Sequence, residues 1–449
     1  MSQPQLIDDE EHERVFEKVA AVDVAKASGM VCTRVPHPSR PGARRSTVWT
    51  VTATMGAVRA LAGQLAGQGI EKVTLESTSD YWRIWFYVLE EAGLEVQLVT
   101  ASQARQLSGR PKTDKLDAMW LARLTEKGLL RASFVPPAEI RALRHYTRAR
   151  THLTQDRTRC WQRLEKLLED ALIKVSAVAS KLTTVSAQDM IRALIAGERD
   201  PQALAGLARG RMKAKHTALA EALAGMFEDH HGELAQLLLD QIAFLDTRIS
   251  QLTTRISGQL AAIRDAWGID ADGTTGPAAG TGSDAAVLAA TARLDEIPGI
   301  SLELAASIIA ETGLDMTRFP TAAHLVSWAG LCPHTSQSGP RTRHGKTGQG
   351  STYLRGHLGQ AATGASATST FLGERYRRIA RRRGSAKAQV AVARSILVII
   401  WHLLADPAAR YADLGPAHYE HHIDKTRKTR SHIRQLEALG YTVTLTQAA

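Results

Sequence analysis

The sequence has few cysteines and no long apolar run, and each shortage excludes a class of protein. Its 449 residues include three widely spaced cysteines, Cys32, Cys160 and Cys332, with no CxxC pair. A disulfide-stapled secreted domain is therefore excluded, and we expect a reducing compartment. Residues 1–14 are acidic and polar, unlike a secretory signal. The closest approach to a membrane segment, residues 396–404, contains a histidine and falls short of the roughly 18 residues required. We expect a cytoplasmic protein without a membrane segment.

The excess of basic residues indicates a polyanionic partner. Lysine and arginine number 56, against 45 aspartates and glutamates, and the formal net charge is +11 at pH 7. Nucleic acid is the partner that such a charge favours. Seven arginines fall within residues 141–163 and six within residues 375–383. These runs could grip a phosphate backbone or could be solvated faces.

The order of apolar runs predicts an α/β domain at the start of the chain, residues 1–135. Strands are predicted at 18–25, 30–35, 48–54, 72–75 and 95–100, and helices at 57–68 and 80–91. Three consecutive strands, followed by alternating helices and strands, give a mixed sheet with helices on its faces. This is also the element order of the ribonuclease-H-like (RuvC-like) nuclease fold.

Helical periodicity replaces this pattern after residue 136. Apolar residues recur at helical spacing through 140–176 and 217–263, which predicts two long antiparallel helices in a coiled-coil arm. Residues 294–313 have the pattern of a helix-hairpin-helix or of an ordinary helical hairpin. The predicted divisions are the arm at 136–268, a flexible linker at 269–285, a mostly α-helical domain at 286–415 and a tail at 416–449.

Four acidic residues are candidate metal ligands. Asp114 and Asp117 lie three apart at the head of an amphipathic helix, so both carboxylates project from one face. Carboxylate oxygens suit hard cations such as Mg²⁺. Alternatively, Asp114 caps the helix and Asp117 complements its dipole. Asp23 lies in a buried strand pattern, where an unpaired charge is costly, and Glu76 ends a later strand.

Residues 328–355 form a second candidate site. This segment is rich in Gly, Ser and Arg and is predicted as a long loop between helices. Loops of this length are usually functional or disordered. A serine that attacks a phosphate needs an activated hydroxyl and nearby cations, and the segment offers both ingredients.

Taken in order, these motifs resemble those of the DEDD transposases and recombinases of the insertion-sequence 110 family, related to the Piv invertases. The matching residues are Asp23, Lys26, Glu76, Trp82, Lys112, Asp114, Asp117, Ala118, Gly330, Leu331, Pro333, Ser338, Gly339, Gly350, Leu354 and Arg355. The chain departs from the family pattern at Pro340, where a second glycine is usual, and at Gly348, where a lysine is usual.

The resemblance implies a ribonuclease-H-like domain that binds Mg²⁺ or Mn²⁺ through Asp23, Glu76, Asp114 and Asp117. It implies that Ser338, or alternatively Ser336, forms a phosphoserine link to DNA. Family members are guided by an element-encoded bridge RNA that pairs with donor and target DNA. They assemble as dimers and tetramers, and a cytoplasmic, nucleoid-associated bacterial protein is expected. The expected nucleic-acid contacts are Lys26, Lys112, Arg341, Arg343, Lys346, Arg355, Arg377, Arg378 and Arg381.

Two other functions remain open at this point. A junction-resolving nuclease would use the four acids to activate water and would form no covalent intermediate. A non-catalytic nucleic-acid scaffold would carry a decayed nuclease domain. The presence of all four acids opposes the scaffold, and the serine segment opposes the resolvase.

Overall fold

The chain folds as two units, unit 1 (Met1–Val135) and unit 2 (Pro136–Ala449). The computed structural model describes residues 16–445, apart from 77–78, 101–112, 271, 277–284, 339–340, 349 and 422–424. The segments predicted as arm, linker and C-terminal domain all fall within unit 2.

A five-stranded mixed sheet forms the centre of unit 1. Its strands are β1 (Val19–Val24), β2 (Ser28–Pro36), β3 (Arg44–Thr52), β4 (Lys72–Glu76) and β5 (Glu95–Val99), in the order β3-β2-β1-β4-β5. The strands β1, β2 and β3 pair antiparallel, whereas β1, β4 and β5 pair parallel. Parallel neighbours need crossover connections, usually helices, and helices precede both β4 and β5. The predicted mixed sheet with helices on its faces is confirmed.

Helices cover both faces of this sheet because the side chains of β1 alternate between the two faces. The helices are α1 (Met55–Gly67), α2 (Arg83–Glu91) and α3 (Asp114–Glu126), with a 3₁₀ turn at Asp80–Trp82. Ala20 and Val22 belong to the core cluster that includes residues of α1 and α2. Ala21, between them, belongs to a second cluster with Ala118 and Leu121 of α3. The odd-numbered face of β1 is therefore the face that α3 covers.

Two long helices dominate the first half of unit 2. They are α4 (Ala138–Asp170) and α9 (Asp229–Ala262), separated by α5 (Val175–Val178), α6 (Val185–Ile195), α7 (Pro201–Gly206) and α8 (His216–Leu223). Arg150 bonds to Thr253, and Arg157 bonds to Asp246, so α4 and α9 run antiparallel. Cys160 packs against α9 in the apolar contact between them. The two long antiparallel helices agree with the prediction, while coiled-coil winding remains a prediction.

Described residues at both ends and in the middle of the segment predicted as a linker form a small antiparallel sheet. Its strands are β6 (Gly268–Asp270), β7 (Thr275–Gly276) and β8 (Ala285–Val287), in the order β7-β6-β8. These strands are short and lack the alternation of apolar and polar residues that signals a strand. The prediction of a flexible linker rested on composition alone, whereas the described residues of this segment pair as strands.

The rest of unit 2 is mostly helical. Its elements are α10 (Ala290–Asp295), α11 (Leu302–Thr312), α12 (Ala322–Trp328), β9 (Pro333–Ser338), β10 (Arg341–Thr347), α13 (Thr352–Ser366), α14 (Phe371–Arg383), α15 (Ser385–Ala405), α16 (His418–His421) and α17 (Lys425–Ala438). Short 3₁₀ helices lie at Gly210–Lys215, Arg264–Ala266 and Met316–Arg318. The loop predicted within 328–355 contains the hairpin β9–β10, whose polar sequence gives no alternating signal. The segment predicted as a tail contains α17.

The turn between α10 and α11 packs closely against α13. Gly299 in this turn has a φ of +90°, and a Cβ on it would lie 2.2 Å from the Ala361 carbonyl oxygen. Ser301 caps α11 by accepting a hydrogen bond from the Leu304 amide. The helix–turn–helix order agrees with the sequence pattern, and its contact with phosphate remains a prediction.

Among the described helices, α15 is the one with the length and composition of a membrane span, and 44% of its apolar window is buried. The core helix of a globular domain meets the same test. Val392, Ile396 and Ile400 of α15 are fully buried in unit 2. This helix extends the apolar run of residues 396–404 towards the N-terminus, past Arg394.

Candidate active site

Two of the predicted metal ligands are neighbours in the sheet of unit 1. Asp23 on β1 and Glu76 on β4 are register partners in a parallel pair of strands. Adjacent strands lie about 4.8 Å apart, and register partners point to the same face. Asp23 is two residues after Ala21 on β1, so both side chains point to the same face of the sheet. That face is the one that α3 covers. Two carboxylates far apart in sequence therefore share one edge of the sheet, at the carboxyl ends of β1 and β4.

The position of α3 over this face is fixed by hydrogen bonds at its C-terminal end. The Thr125 hydroxyl of α3 lies 2.7 Å from the Thr74 hydroxyl of β4, and Gln97 donates to the same oxygen over 2.6 Å. Glu126 accepts a bond from Arg34, the register partner of the first residue of β1. The end of α3 therefore lies near the start of β1, and the helix begins near the edge where β1 and β4 end.

The first turn of α3 carries the other two predicted ligands. Thr113 is the N-cap, since its hydroxyl accepts from the Leu116 amide over 3.3 Å. The alternative in which Asp114 caps the helix is therefore wrong, because a residue with a hydroxyl side chain immediately precedes it. Asp114 is exposed and Asp117 is half-buried. Both can still interact favourably with the helix dipole.

The four acids do not form a closed ligand set in the described residues. No three His, Cys, Asp or Glu side chains in that part of the chain lie close enough to hold a metal ion. The structure brings Asp23 and Glu76 together and directs the start of α3 to the same edge. Convergence of all four on one cation remains a prediction. Lys26 is exposed just beyond β1, and Lys112 lies outside the described residues.

The two candidate nucleophiles lie on one strand of the β9–β10 hairpin. Ser338 is the register partner of Arg341, and Ser336 is the partner of Arg343. Lys346 is also on β10. The backbone of these residues is described, and their side chains lie outside the described part of the chain. The hairpin thus pairs each candidate serine with an arginine position, as far as the backbone shows.

A buried ion cluster lies within unit 2, and no motif in the sequence indicated it. Glu311 of α11 is only 1% exposed and pairs with Arg148 of α4 through two hydrogen bonds of 2.7 and 3.0 Å. Arg144 lies 3.9 Å from the same carboxylate and donates to backbone carbonyls of α11. Ser351, the N-cap of α13, donates to Glu311 over 2.8 Å. The cluster therefore joins α4, α11 and α13.

Opposing effects set the pKa of Glu311. Burial raises it, but the hydrogen bond from Arg148, the charges of Arg144 and Arg148 and the Ser351 hydroxyl together outweigh burial. The pKa of Glu311 consequently lies below its ordinary value, and the carboxylate is ionised at neutral pH.

Four arginines of the α4 run form ion pairs with other helices of unit 2. Arg144 and Arg148 bind Glu311, Arg150 pairs with Glu303 over 2.6 Å, and Arg157 pairs with Asp246 over 2.6 Å. The sequence could not separate these roles, because the partners lie far along the chain.

The predicted nucleic-acid contacts in α13 and α14 also differ in exposure. Arg355 donates to the Gly348 carbonyl at the base of the hairpin. Arg377 bonds to Glu374 and to backbone carbonyls, and Arg378 lies over the ring of Tyr419. Arg381 is 72% exposed. Arg378 is also exposed, whereas Arg377 is half-buried, and Arg381 lies 3.6 Å from Glu374.

Two family models match the chain. One, described as a DEDD transposase of the IS110 type, matches residues 20–173, and the other, described as a transposase of the IS116/IS110/IS902 family, matches residues 291–378. Among solved structures, RuvC from Thermus thermophilus is similar at 13% identity, covering 26% of this chain and 99% of its own, with a TM-score of 0.21. No curated protein sequence matches the chain.

Proposed function

We propose that this chain, whose two matched regions are transposase domains of the insertion-sequence 110 family, exchanges strands between donor and target DNA. The observation that carries the proposal is the Asp23–Glu76 pair, in register at the edge where α3 begins. Carboxylate oxygens that lie close together are ligands that a hard divalent cation prefers. The net charge of +11 supports a nucleic-acid substrate.

The acidic edge is the proposed metal centre. Asp23, Glu76, Asp114 and Asp117 would hold Mg²⁺ or Mn²⁺, and the donor set fits because every donor is a carboxylate oxygen. The cation would stabilise charge that develops on a phosphate under attack. The strand order β3-β2-β1-β4-β5 supports a ribonuclease-H-like fold for unit 1.

Ser338 is the proposed nucleophile. Its oxygen forms a bond to a DNA phosphorus, and the bond from that phosphorus to a deoxyribose oxygen breaks. The serine proton passes to a base or to solvent, and the departing sugar oxygen takes up a proton. Attack by a sugar hydroxyl of the other DNA then releases the serine and completes the exchange. The register of Ser338 with Arg341 supports a phosphate near this serine.

The remaining parts of the proposal follow from the family resemblance. A bridge RNA would pair with donor and target DNA, and dimers would assemble to tetramers at the bacterial nucleoid. The acids of unit 1 and the serine of unit 2 must act on one phosphodiester, within a chain or between chains. RNA that copurifies with the full chain, once sequenced, tests the guide. An RNA-free preparation with full strand-exchange activity would overturn it.

Recovery of a covalent protein–DNA adduct under denaturing conditions tests the chemistry. The wild type should form the adduct in the presence of Mg²⁺, Ser338→Ala should form none, and Ser336→Ala is the matched control. Asp23→Asn should also lose the adduct while retaining the affinity for DNA. If Ser338→Ala still forms the adduct and Ser336→Ala does not, the nucleophile is Ser336. Cleavage by the wild type without any adduct favours the junction-resolving nuclease.

A further inference from the structure

A polar cleft in unit 2 lies outside both parts of the proposed active site. It has a volume of about 660 Å³ and is bounded by α4, α11 and α13, with one residue from α9. Pockets of this size hold ligands of nucleotide size. Its lining is mostly polar and includes Arg150, Arg157, Ser301, Glu303, Tyr353 and His357.

Hydrogen-bond donors outnumber negative charges in this lining. Glu303 is the one carboxylate among the lining residues, and Arg150 neutralises it at 2.6 Å. Arg157 bonds to Asp246 of α9 through Nη1, and no bond from its other guanidinium nitrogens is seen in the described residues. Both arginines of the lining therefore have a carboxylate partner, and the case for an anion rests on the remaining guanidinium N–H groups of Arg157 and on the hydroxyl and imidazole donors.

Several donors in the cleft keep capacity for a ligand. The Ser301 oxygen accepts from the Leu304 amide, so its O–H can still donate outward. The His152 ring nitrogen Nε2 and the Tyr353 hydroxyl lie 2.7 Å apart, and Arg148 covers the Tyr353 ring. The two contacts hold the Tyr353 ring and hydroxyl in one orientation at the side of the cleft.

His357 lies one helical turn after Tyr353 on α13 and lines the same cleft. Burial lowers its pKa, the charges of Arg148 and Arg150 lower it further, and Glu311 raises it. The ring is therefore neutral at pH 7 and carries one N–H donor. A phosphate oxygen beside it would favour the protonated ring.

We infer that this cleft binds a backbone phosphate of a single nucleic-acid strand, which adds a binding site to the proposed function on which it rests. The cleft between the three helices has a volume of about 660 Å³, which is of the order of one nucleotide unit of a single strand. Charge-assisted bonds from Arg157 and hydrogen bonds from Ser301 and His357 contact the phosphate. Such contacts are independent of sequence, since phosphate carries no base information.

Fluorescence anisotropy with the full chain and a labelled single-stranded 20-mer, as DNA and as RNA, tests the inference. Arg157→Ala should weaken binding about tenfold, the effect of a lost bond to a charged group. It should also lower the salt slope by about 0.7. Arg159→Ala is the matched control, because Arg159 is exposed on the same helix and does not line the cleft. Equal affinities and salt slopes for the two variants would overturn the inference.

A second measurement covers a failure of Arg157→Ala to fold. In NMR of the wild type, with the His357 ring signal assigned from His357→Gln, the strand should raise the pKa of His357. An unchanged titration in the presence of saturating strand would overturn the inference.

Two further arms separate the ligand source and the proposed function. In the first, binding of a mononucleotide and of inorganic phosphate is compared between wild type and Arg157→Ala. If the substitution weakens their binding but leaves the affinity for the strand unchanged, the strand is not the ligand. In the second, the serine adduct is measured in the same variant. If Arg157→Ala forms the adduct and binds the strand normally, the phosphate site in the cleft is rejected and the proposed function stands. A wild type that forms no adduct but loses strand affinity in Arg157→Ala supports the cleft and rejects the serine mechanism.

Discussion

Replacement of Glu311 by glutamine removes one buried charge from the cluster that joins α4, α11 and α13. The amide has nearly the shape of the carboxylate, so packing around it should be preserved. Its NH₂ group faces guanidinium donors, and Arg144 and Arg148 lose their counter-charge. The change therefore isolates the electrostatic contribution of Glu311.

The structure sets the size of the effect. Breaking a buried pair by removing one partner costs about 3–5 kcal/mol. The side chains of Arg144 and Arg148 are 17% and 29% exposed, so water partly compensates them. We expect a loss of about 3 kcal/mol in the free energy of unfolding. Asp156→Asn is the matched control, because its pair with Arg159 is largely exposed and should contribute less than about 1 kcal/mol.

Urea unfolding followed by circular dichroism measures both variants, at pH 7 and at decreasing pH. The folded-state pKa of Glu311 lies below its ordinary value of 4.5, so the folded protein binds fewer protons than the unfolded chain. The stabilisation by Glu311 is present above pH 4.5 and is lost as the pH falls through the folded-state pKa. The difference between wild type and Glu311→Gln should therefore shrink below pH 4.5. A Glu311→Gln variant as stable as Asp156→Asn at pH 7 would refute this account of the cluster.

Three other changes have defined outcomes. Thr74→Val should destabilise unit 1 by about 1–3 kcal/mol in urea unfolding, because the buried Gln97 amide loses its acceptor; an unchanged midpoint would contradict this. Gly299→Ala should destabilise more than Gly384→Ala in thermal unfolding, by at least about 1 kcal/mol, and equal losses would contradict the packing argument. Both have a positive φ, but only at Gly299 would a Cβ meet backbone. Finally, the logarithm of duplex-DNA affinity should fall linearly with that of salt concentration, by about 0.9 per phosphate contact. A flat dependence would contradict nucleic-acid binding.

Local patterns were sufficient to predict the elements of unit 1. Apolar runs of β1 and β4 and the helical spacing of α1 predicted their order, and the sheet has that order. The placement of Asp23 on a buried strand and Glu76 at the end of another followed from the same runs. Their pairing in register did not, because the register between β1 and β4 is set by packing across the sheet rather than by either strand alone.

The start of α3 shows how a nearby residue can decide between alternatives. The spacing of Asp114 and Asp117 allowed a metal ligand pair or a capped helix. The structure assigns the cap to Thr113, one residue earlier. A Thr hydroxyl can accept the capping bond as well as a carboxylate, so spacing of the acids alone could not distinguish them.

The sequence by itself determined the basic character of the chain, the two long helices of unit 2 and the residues available for chemistry. It did not determine what the arginines of α4 bind, because Glu303 and Glu311 are more than 150 positions further along the chain. Nor did it reveal the β9–β10 hairpin, whose polar residues pair through the backbone and leave no apolar alternation. Such roles depend on long-range proximity, and only the tertiary structure brings those groups within bonding distance.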